Sequence, residues 1–414
     1  MTDIYDIVSF FDKCRWTKYY ENYGLINYFK DNLSNDLKLL THWISYITDR
    51  QIGYEIVWDV GGFVFSEMLY YYRKPDVGLE VLNPKSEFAF FKIDDETGKY
   101  SFVSKKKISN KLSSQSQRLL KKYNLEDGKC VKYISRFYPA DYKCMLYTMH
   151  TLEYYHKSLV DYIADVLKNV KNQTSENLVK TLVYALSILT YDDIKKTTKE
   201  DLIYKRIFKE AESRTKKVMA IVNDKDLLEK NTNKFFKSGK QYKNKRIWCC
   251  VRDYIKSEVF GTNCLKQELI RKGLNNTIIS KLYSKEALSF FELPGDVWNN
   301  NLKFINCLFK DAFTDKNKKE FNKCLRKEYE DCRKRNKEAN WYPEQFDFSF
   351  DFVPKMCKMD NCDVCPFKYL IEKNNLEKIC AKNNSKYCTV ALICCGYKCK
   401  CSPCDCLICK SFDK

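Results

Sequence analysis

Cysteines near the C-terminus are the residues whose spacing points most directly to chemistry. The chain of 414 residues contains 21 cysteines, and 12 of them lie in the last 58 residues. Three are arranged as Cys357-x4-Cys362-x2-Cys365, and Cys380 and Cys388 follow. A Cys-x2-Cys pair places two thiolates on one turn, where both can reach the same metal ion or cluster iron. We therefore predict that the first three are ligands and that Cys380 or Cys388 is the fourth.

The spacing leaves the identity of the metal open, because Zn²⁺ and a [4Fe–4S] cluster each take four thiolates. A denser run from Cys394 to Cys409 contains two further Cys-x2-Cys pairs, which fit a second site. A secreted disulfide-bonded protein would also be rich in cysteine. However, the first residues, MTDIYDIVSFFDK, include acids where a secretory signal is basic and then apolar. We therefore predict an intracellular protein, cytoplasmic or nuclear, that uses these cysteines as metal ligands.

The second candidate functional residue is a carboxylate that follows a predicted turn. The segment Phe291–Trp298 (FELPGDVW) places Asp296 directly after an apolar-Pro-Gly sequence. An Asp in this position often caps the N-terminus of a helix. A carboxylate so placed can also activate a water molecule or stabilise a developing positive charge. The residues alone leave both roles open.

Positive charge is concentrated in one segment, residues 234–252. The whole chain has 73 Lys and Arg against 54 Asp and Glu, a net charge of +19, whereas residues 1–75 are slightly acidic. Such an excess favours polyanionic partners. The segment has seven basic residues and no acidic ones, and we expect them to contact phosphates. They are Lys234, Lys237, Lys240, Lys243, Lys245, Arg246 and Arg252.

Aromatic residues are interleaved with these basic ones, namely Phe235, Phe236, Tyr242 and Trp248. Aromatic side chains beside lysines can stack on exposed bases. We therefore predict that the partner is nucleic acid. The alternative is a solvated loop whose aromatic side chains anchor it to the core.

The order of these features resembles the helix-hairpin-helix DNA glycosylase superfamily, which includes endonuclease III and 8-oxoguanine glycosylase. A basic helix at Arg246–Phe260 comes first, the Leu-Pro-Gly-Asp296 turn follows, and Cys362-x2-Cys365-Pro366 comes last. In this superfamily a catalytic Asp follows a Leu-Pro-x sequence, and an iron–sulfur loop lies after the catalytic domain in several members. The resemblance thus implies that Asp296 is the catalytic carboxylate and that the tail holds a [4Fe–4S] cluster.

The same resemblance implies further site residues. Lys281 would be the counterpart of the lysine that forms a Schiff base in bifunctional members, although it lies closer to Asp296 than in the family. Gln51 would be the residue inserted at the lesion, and Arg50 would contact a phosphate. The hairpin of the family would correspond to Gly273–Thr277, which lacks the usual Gly-x-Gly.

Hydrophobic periodicity predicts a mainly α protein with a small β-hairpin at residues 88–104, where Gly98 would lie in the turn. No run reaches the roughly 18 to 20 apolar residues of a membrane span. We predict three regions: residues 1–122, a basic helical region at 123–350, and a Cys-rich tail at 351–414. The clearest helices are expected at Asp36–Ile47, Tyr142–Val170, Ser175–Leu189, Lys199–Val222, Arg246–Phe260 and Lys316–Lys337.

The resemblance, taken with the basic segment and the Cys-rich tail, implies a DNA-binding enzyme with N-glycosylase-like hydrolase chemistry, which would flip a base out of the helix and remove it. The first alternative is a non-enzymatic, zinc-containing nucleic-acid-binding protein in which Asp296 is only a helix cap. The second is a metal-stabilised scaffold whose lysine excess reflects an AT-rich genome.

Overall fold

The computed structural model describes residues 34–48, 91–93, 100–102, 147–152, 158–190, 204–240, 244–256 and 263–291, with six isolated helical positions elsewhere. The chain divides into two compact units. One comprises Gly24–Leu288, and the other combines Met1–Tyr23 with Ser289–Lys414. Nearly all described residues belong to the first unit, which we call the helical unit. The three regions predicted from the sequence stay a prediction.

The described residues are mostly helical, which confirms the mainly α class. A further helical segment, residues 147–152, precedes α2. The helices are α1 (Asn35–Thr48), α2 (Leu159–Lys168), α3 (Ser175–Thr190), α4 (Tyr204–Asn223), α5 (Lys225–Lys237), α6 (Lys245–Lys256), α7 (Cys264–Arg271), α8 (Asn276–Leu282) and α9 (Lys285–Ser289).

Two short strands lie within the range predicted for the hairpin. Strand β1 (Phe91–Ile93) pairs antiparallel with β2 (Tyr100–Phe102), and Phe91 is opposite Phe102. Residues 94–99, which include Gly98, lie outside the described residues. The turn therefore stays a prediction.

Helix α3 lies at the centre of the helical unit and contacts α2, α4, α5, α6 and α8. Every residue from Thr181 to Leu189 is buried, so no face of this part of the helix is left for solvent. A helix that is apolar on all sides is expected in the middle of a core, where neighbouring helices cover each face. Helix α1 adds a second buried surface, because Leu39, Trp43 and Ile47 are almost inaccessible and the helix packs against α6 and α7.

The start of α1 lies one residue earlier than the sequence suggested. The predicted helix begins at Asp36, whereas α1 begins at Asn35, and the Ser34 hydroxyl accepts a hydrogen bond from the Leu37 backbone N–H at 3.3 Å. A side-chain oxygen bonded to the N–H three residues ahead is the usual N-cap arrangement. Ser34 is therefore the cap of α1.

The helix predicted over Tyr142–Val170 is not continuous. Ser158 has an extended backbone (φ −81°, ψ 170°) and its hydroxyl accepts a hydrogen bond from the Asp161 N–H, while the Asp161 carboxylate accepts one from the Ser158 N–H. This reciprocal capping box begins a new helix. The prediction of a single helix was wrong because helical periodicity persists across the break and hides it.

A tight turn joins α7 to α8 at the stretch compared above with the glycosylase hairpin. Gly273 has φ +70°, and its N–H donates to the Ile270 carbonyl. The Leu274 N–H donates to the Leu269 carbonyl at 3.0 Å, which completes a Schellman motif. Asn275 then caps α8 by accepting a hydrogen bond from the Thr277 N–H at 2.7 Å. Gly273–Thr277 therefore connects two helices without the Gly-x-Gly sequence.

Candidate nucleic-acid interface

The predicted basic segment begins in the last turn of α5. Asp224 caps this helix by accepting hydrogen bonds from the Asp226 and Leu227 N–H groups, at 2.9 and 3.0 Å. The helix ends at Lys237, Ser238 is its C-cap, and Gly239 has φ +70°. Residues 241–243 are outside the described part, and α6 begins at Lys245. Most of the segment is thus helical rather than a solvated loop.

A stripe of lysines lies along the exposed face of α5. Lys230, Lys234 and Lys237 are four and three residues apart, which places them on one side of the helix, and all three are exposed. We call these three residues the basic stripe. Lys240, half-exposed, follows just beyond the helix end. The sequence has no acidic residue from Lys230 through residue 252.

The acidic side chains of α5 lie in its first half and bond elsewhere. Lys171 pairs with Asp226 at 2.9 Å and with Glu229 at 4.0 Å. Both carboxylates are therefore drawn toward the loop that follows α2. The C-terminal half of α5 carries positive charge only.

The aromatic residues of the segment do not all face solvent. Phe235 is 2% exposed and Trp248 is 4% exposed. Phe235 packs edge-on against Tyr184 of α3, with ring centroids 5.6 Å apart, and Trp248 lies 6.1 Å from Phe236. The expected stacking of Phe235 and Trp248 on bases was wrong, because these side chains anchor α5 and α6 to the core. Tyr242 lies outside the described residues.

The arginines of the segment also turn inward. Arg252 is 4% exposed and its Nε donates to Asp253 Oδ1 at 2.9 Å, so its assignment as a phosphate contact was wrong. Arg246 is partly buried and donates to the Ile47 carbonyl of α1 at 3.0 Å. Among the predicted phosphate contacts, Lys234 and Lys237 are exposed and Lys240 is half-exposed. Lys243 lies outside the described residues, and Lys245 is the first residue of α6.

Asp253 is the centre of a buried polar cluster between α1 and α6. Its carboxylate accepts hydrogen bonds from Arg252 and from the Tyr46 hydroxyl, and Oδ2 lies 3.6 Å from His42 Nε2. The other ring nitrogen, Nδ1, lies 3.4 Å from Cys250 Sγ. Cys, His and Asp side chains in this order are also found where an imidazole activates a thiol.

The electrostatics of the cluster oppose that activity. Burial raises the pKa of the Cys250 thiol well above its ordinary value, and burial lowers the pKa of His42 although Asp253 opposes the shift. Burial alone would also raise the pKa of Asp253, but Arg252, His42 and Tyr46 hold it well below its usual range. A protonated, inaccessible thiol is the opposite of an activated nucleophile. We assign the cluster a structural role in joining α1 to α6.

The remaining predicted site residues fall into two groups. Lys281 is an exposed residue of α8. The others lie outside the described residues, so their roles stay predictions; they are Asp296, Arg50, Gln51, Cys357, Cys362, Cys365, Cys380 and Cys388. Within the described ranges, no group of three or more His, Cys, Asp or Glu side chains could hold a metal ion. Cys249, Cys250 and Cys264 are buried and are not part of a disulfide bond.

In the part of the chain that the structure describes, none of the helices has the length and apolar character needed to cross a membrane. The chain shows no significant similarity to any protein-family model, curated protein or solved structure. The likeness to the DNA glycosylases therefore rests on the short motifs quoted above.

Proposed function

We propose that this protein binds nucleic acid through the basic stripe of α5. The observation that supports the proposal is the alignment of Lys230, Lys234 and Lys237 on one exposed helix face whose C-terminal half has no acidic residue. Lysines that contact phosphates release the counterions condensed on a nucleic acid, which is a main source of binding free energy.

An ordinary solvated helix face looks different in this same chain. On α4, Lys216 pairs with Glu212 one turn earlier at 2.9 Å, and on α3 Lys180 pairs with Glu176. Such pairs neutralise each other at the surface. The basic stripe follows another pattern, because the nearest acidic side chains of α5 bond to Lys171. Its positive charge is therefore left to attract an anionic partner.

The test compares two variants of equal charge. The stripe variant is Lys230→Gln, Lys234→Gln and Lys237→Gln. The control variant is Lys168→Gln, Lys217→Gln and Lys285→Gln, which removes three exposed lysines from three other helices. Affinity for a labelled DNA duplex is measured by fluorescence anisotropy over a range of salt concentrations. We expect the slope of log K against log salt to fall by about 2 to 3 in the stripe variant and by much less in the control variant, since each phosphate contact contributes about 0.9.

Equal slopes in the two variants would contradict the proposal, as would the absence of salt-dependent binding in the unmodified chain. Vesicles containing anionic lipid serve as a second probe. Binding to vesicles without binding to DNA would reassign the stripe to a membrane surface.

A catalytic extension of this proposal rests on the resemblance to the glycosylases. We propose that Asp296 promotes base release and that the tail cysteines hold a [4Fe–4S] cluster, with zinc as the alternative. A nucleophilic lysine is usually desolvated in a pocket, and Lys281 is exposed on α8. We therefore propose chemistry without a lysine nucleophile.

The catalytic extension makes two predictions that can be tested on the purified protein. Asp296→Asn should abolish base release and leave DNA affinity unchanged. Metal analysis after anaerobic purification should find about four irons per chain for a [4Fe–4S] cluster. Zinc without iron, together with no base release from any substrate, would favour the non-enzymatic zinc-containing alternative.

A further inference from the structure

We infer that the basic stripe recognises the sugar–phosphate backbone and not the bases, so that its contribution to binding is the same for every sequence. This inference rests on the proposed function and specifies the chemistry that the surface reads. The inference rests on the contacts that the side chains near the stripe already make within the protein, because only side chains without such contacts are available to bind a base.

The aromatic groups of α5 are already engaged within the protein. Phe235 is buried. The ring of Phe236 lies 5.4 Å from that of Phe235 and 6.1 Å from that of Trp248, and the Lys180 ammonium lies 5.6 Å from its centroid. Stacking on a base requires a free ring face. Phe235 is therefore inaccessible to a base, and the half-exposed ring of Phe236 is already in contact with Phe235, Trp248 and Lys180.

The polar side chains between the lysines are also largely committed. Asn231 Nδ2 donates to the Leu227 carbonyl at 2.7 Å, and the Ser238 hydroxyl donates to the Phe235 carbonyl at 2.7 Å. Thr232 is buried. Asn233 is the exposed amide beside the stripe, and an Asn amide can read adenine. It is therefore the residue whose substitution tests the inference most directly.

The spacing of the lysines suits a run of phosphates. Seven residues separate Lys230 from Lys237, and at about 1.5 Å per residue they span about 10.5 Å along the helix axis. One strand of a duplex presents a phosphate about every 3.4 Å along its axis. The basic stripe therefore spans about three phosphate intervals of a strand, and each of its lysines can contact a phosphate as a point charge without reading sequence.

The experiment isolates the stripe from any base-binding site elsewhere in the chain. Two single-stranded ligands with the same number of phosphates are used, one with ordinary bases and one with abasic sugars throughout. The affinity of the full chain and of the stripe variant is measured for each ligand, and the loss on substitution is compared. We expect the fold-loss to be the same for both ligands. We also expect Asn233→Ala to leave the affinity for an adenine-containing strand unchanged.

The outcomes separate this inference from the proposed function. If the substitutions cost at least about fivefold more with the base-containing ligand, or if Asn233→Ala weakens adenine binding by that factor, the stripe reads bases and the inference is overturned; one stacked base contributes at least about this much. The proposed function would survive that result. If the substitutions change neither affinity, both the inference and the proposed function fail.

Discussion

At the scale of single residues, the clearest feature is the buried ion pair of Arg252 and Asp253. Both side chains are at most 5% exposed. Removing one partner of a buried pair leaves the other uncompensated, which typically costs about 3 kcal/mol or more. We therefore expect Asp253→Asn to lower the free energy of unfolding by about that amount, as measured by urea denaturation.

A matched substitution in an exposed pair provides the control. Asp226 forms a surface pair with Lys171, and its side chain is 79% exposed. Surface pairs contribute little because water screens them. Asp226→Asn should therefore leave the unfolding midpoint nearly unchanged. If Asp253→Asn and Asp226→Asn lower the free energy of unfolding by similar amounts, the buried pair contributes no more to stability than the exposed one.

The two described histidines make stability depend on pH. Burial lowers the pKa of His42, and it also lowers the pKa of His150, whose Nδ1 contacts the Thr215 hydroxyl at 2.9 Å. The unfolded chain then takes up protons at about pH 6.5, where the folded chain does not. Stability should be complete above that pH and should fall as the pH drops below it.

Urea denaturation at several pH values from neutral to mildly acidic tests this dependence. Replacing His42 with Gln should reduce the slope in that window and leave the part due to His150, because Gln does not titrate. The stabilising carboxylate of Asp253 acts in a lower window, below about pH 3.9, so the two effects are separable. If the free energy of unfolding depends on pH in the same way in His42→Gln, then His42 is not the group responsible for that dependence.

Residue types alone did not reveal which charges face the solvent. The basic segment was predicted from composition, and Lys234 and Lys237 are exposed as that prediction requires. Arg252 has the same charge but is paired in the core. Asp253, which pairs with Arg252, has its other partners on α1, more than 200 residues away along the chain, as the 207-residue separation of Tyr46 and Asp253 shows. No local pattern in the sequence could have brought these groups together.

At the scale of the elements, the turn between α7 and α8 depends on one glycine. Gly273 has φ +70°, and a Cβ built there meets nothing within 4 Å. The cost of Gly273→Ala is therefore backbone strain alone, about 1 kcal/mol. Thermal unfolding should show this loss, and Gly273→Asn should lose less because Asn tolerates the left-handed region. Equal losses would mean that strain at this residue is not the cause.

The helices with long apolar periodicity were predicted from the sequence, whereas those whose ends are defined by capping residues were not. The ranges predicted for α1, α3 and α6 overlap the observed helices almost completely within the described residues. By contrast, no helix was predicted at α5, whose last turn alone lies in the predicted basic segment, although Asp224 caps its start with two side-chain hydrogen bonds. Helices α7 and α8 are only eight and seven residues long, so a periodicity search has little signal there. Their boundaries are set by Gly273 and Asn275.

At the scale of the whole molecule, the net charge of +19 and the basic stripe should affect binding in different ways. Long-range attraction depends on total charge and increases the association rate, whereas direct contacts mainly slow dissociation. The stripe and control variants each lower the net charge by three. Their association rates with a DNA duplex should therefore be reduced equally.

The dissociation rates should separate the two variants. Under the proposed function only the stripe variant loses contacts with DNA, so its complex should dissociate faster than that of the control variant at the same salt concentration. Stopped-flow mixing gives the association rate, and displacement by unlabelled duplex gives the dissociation rate. If the two variants dissociate at the same rate, the protein attracts DNA through its overall field, and α5 is not the surface that holds it.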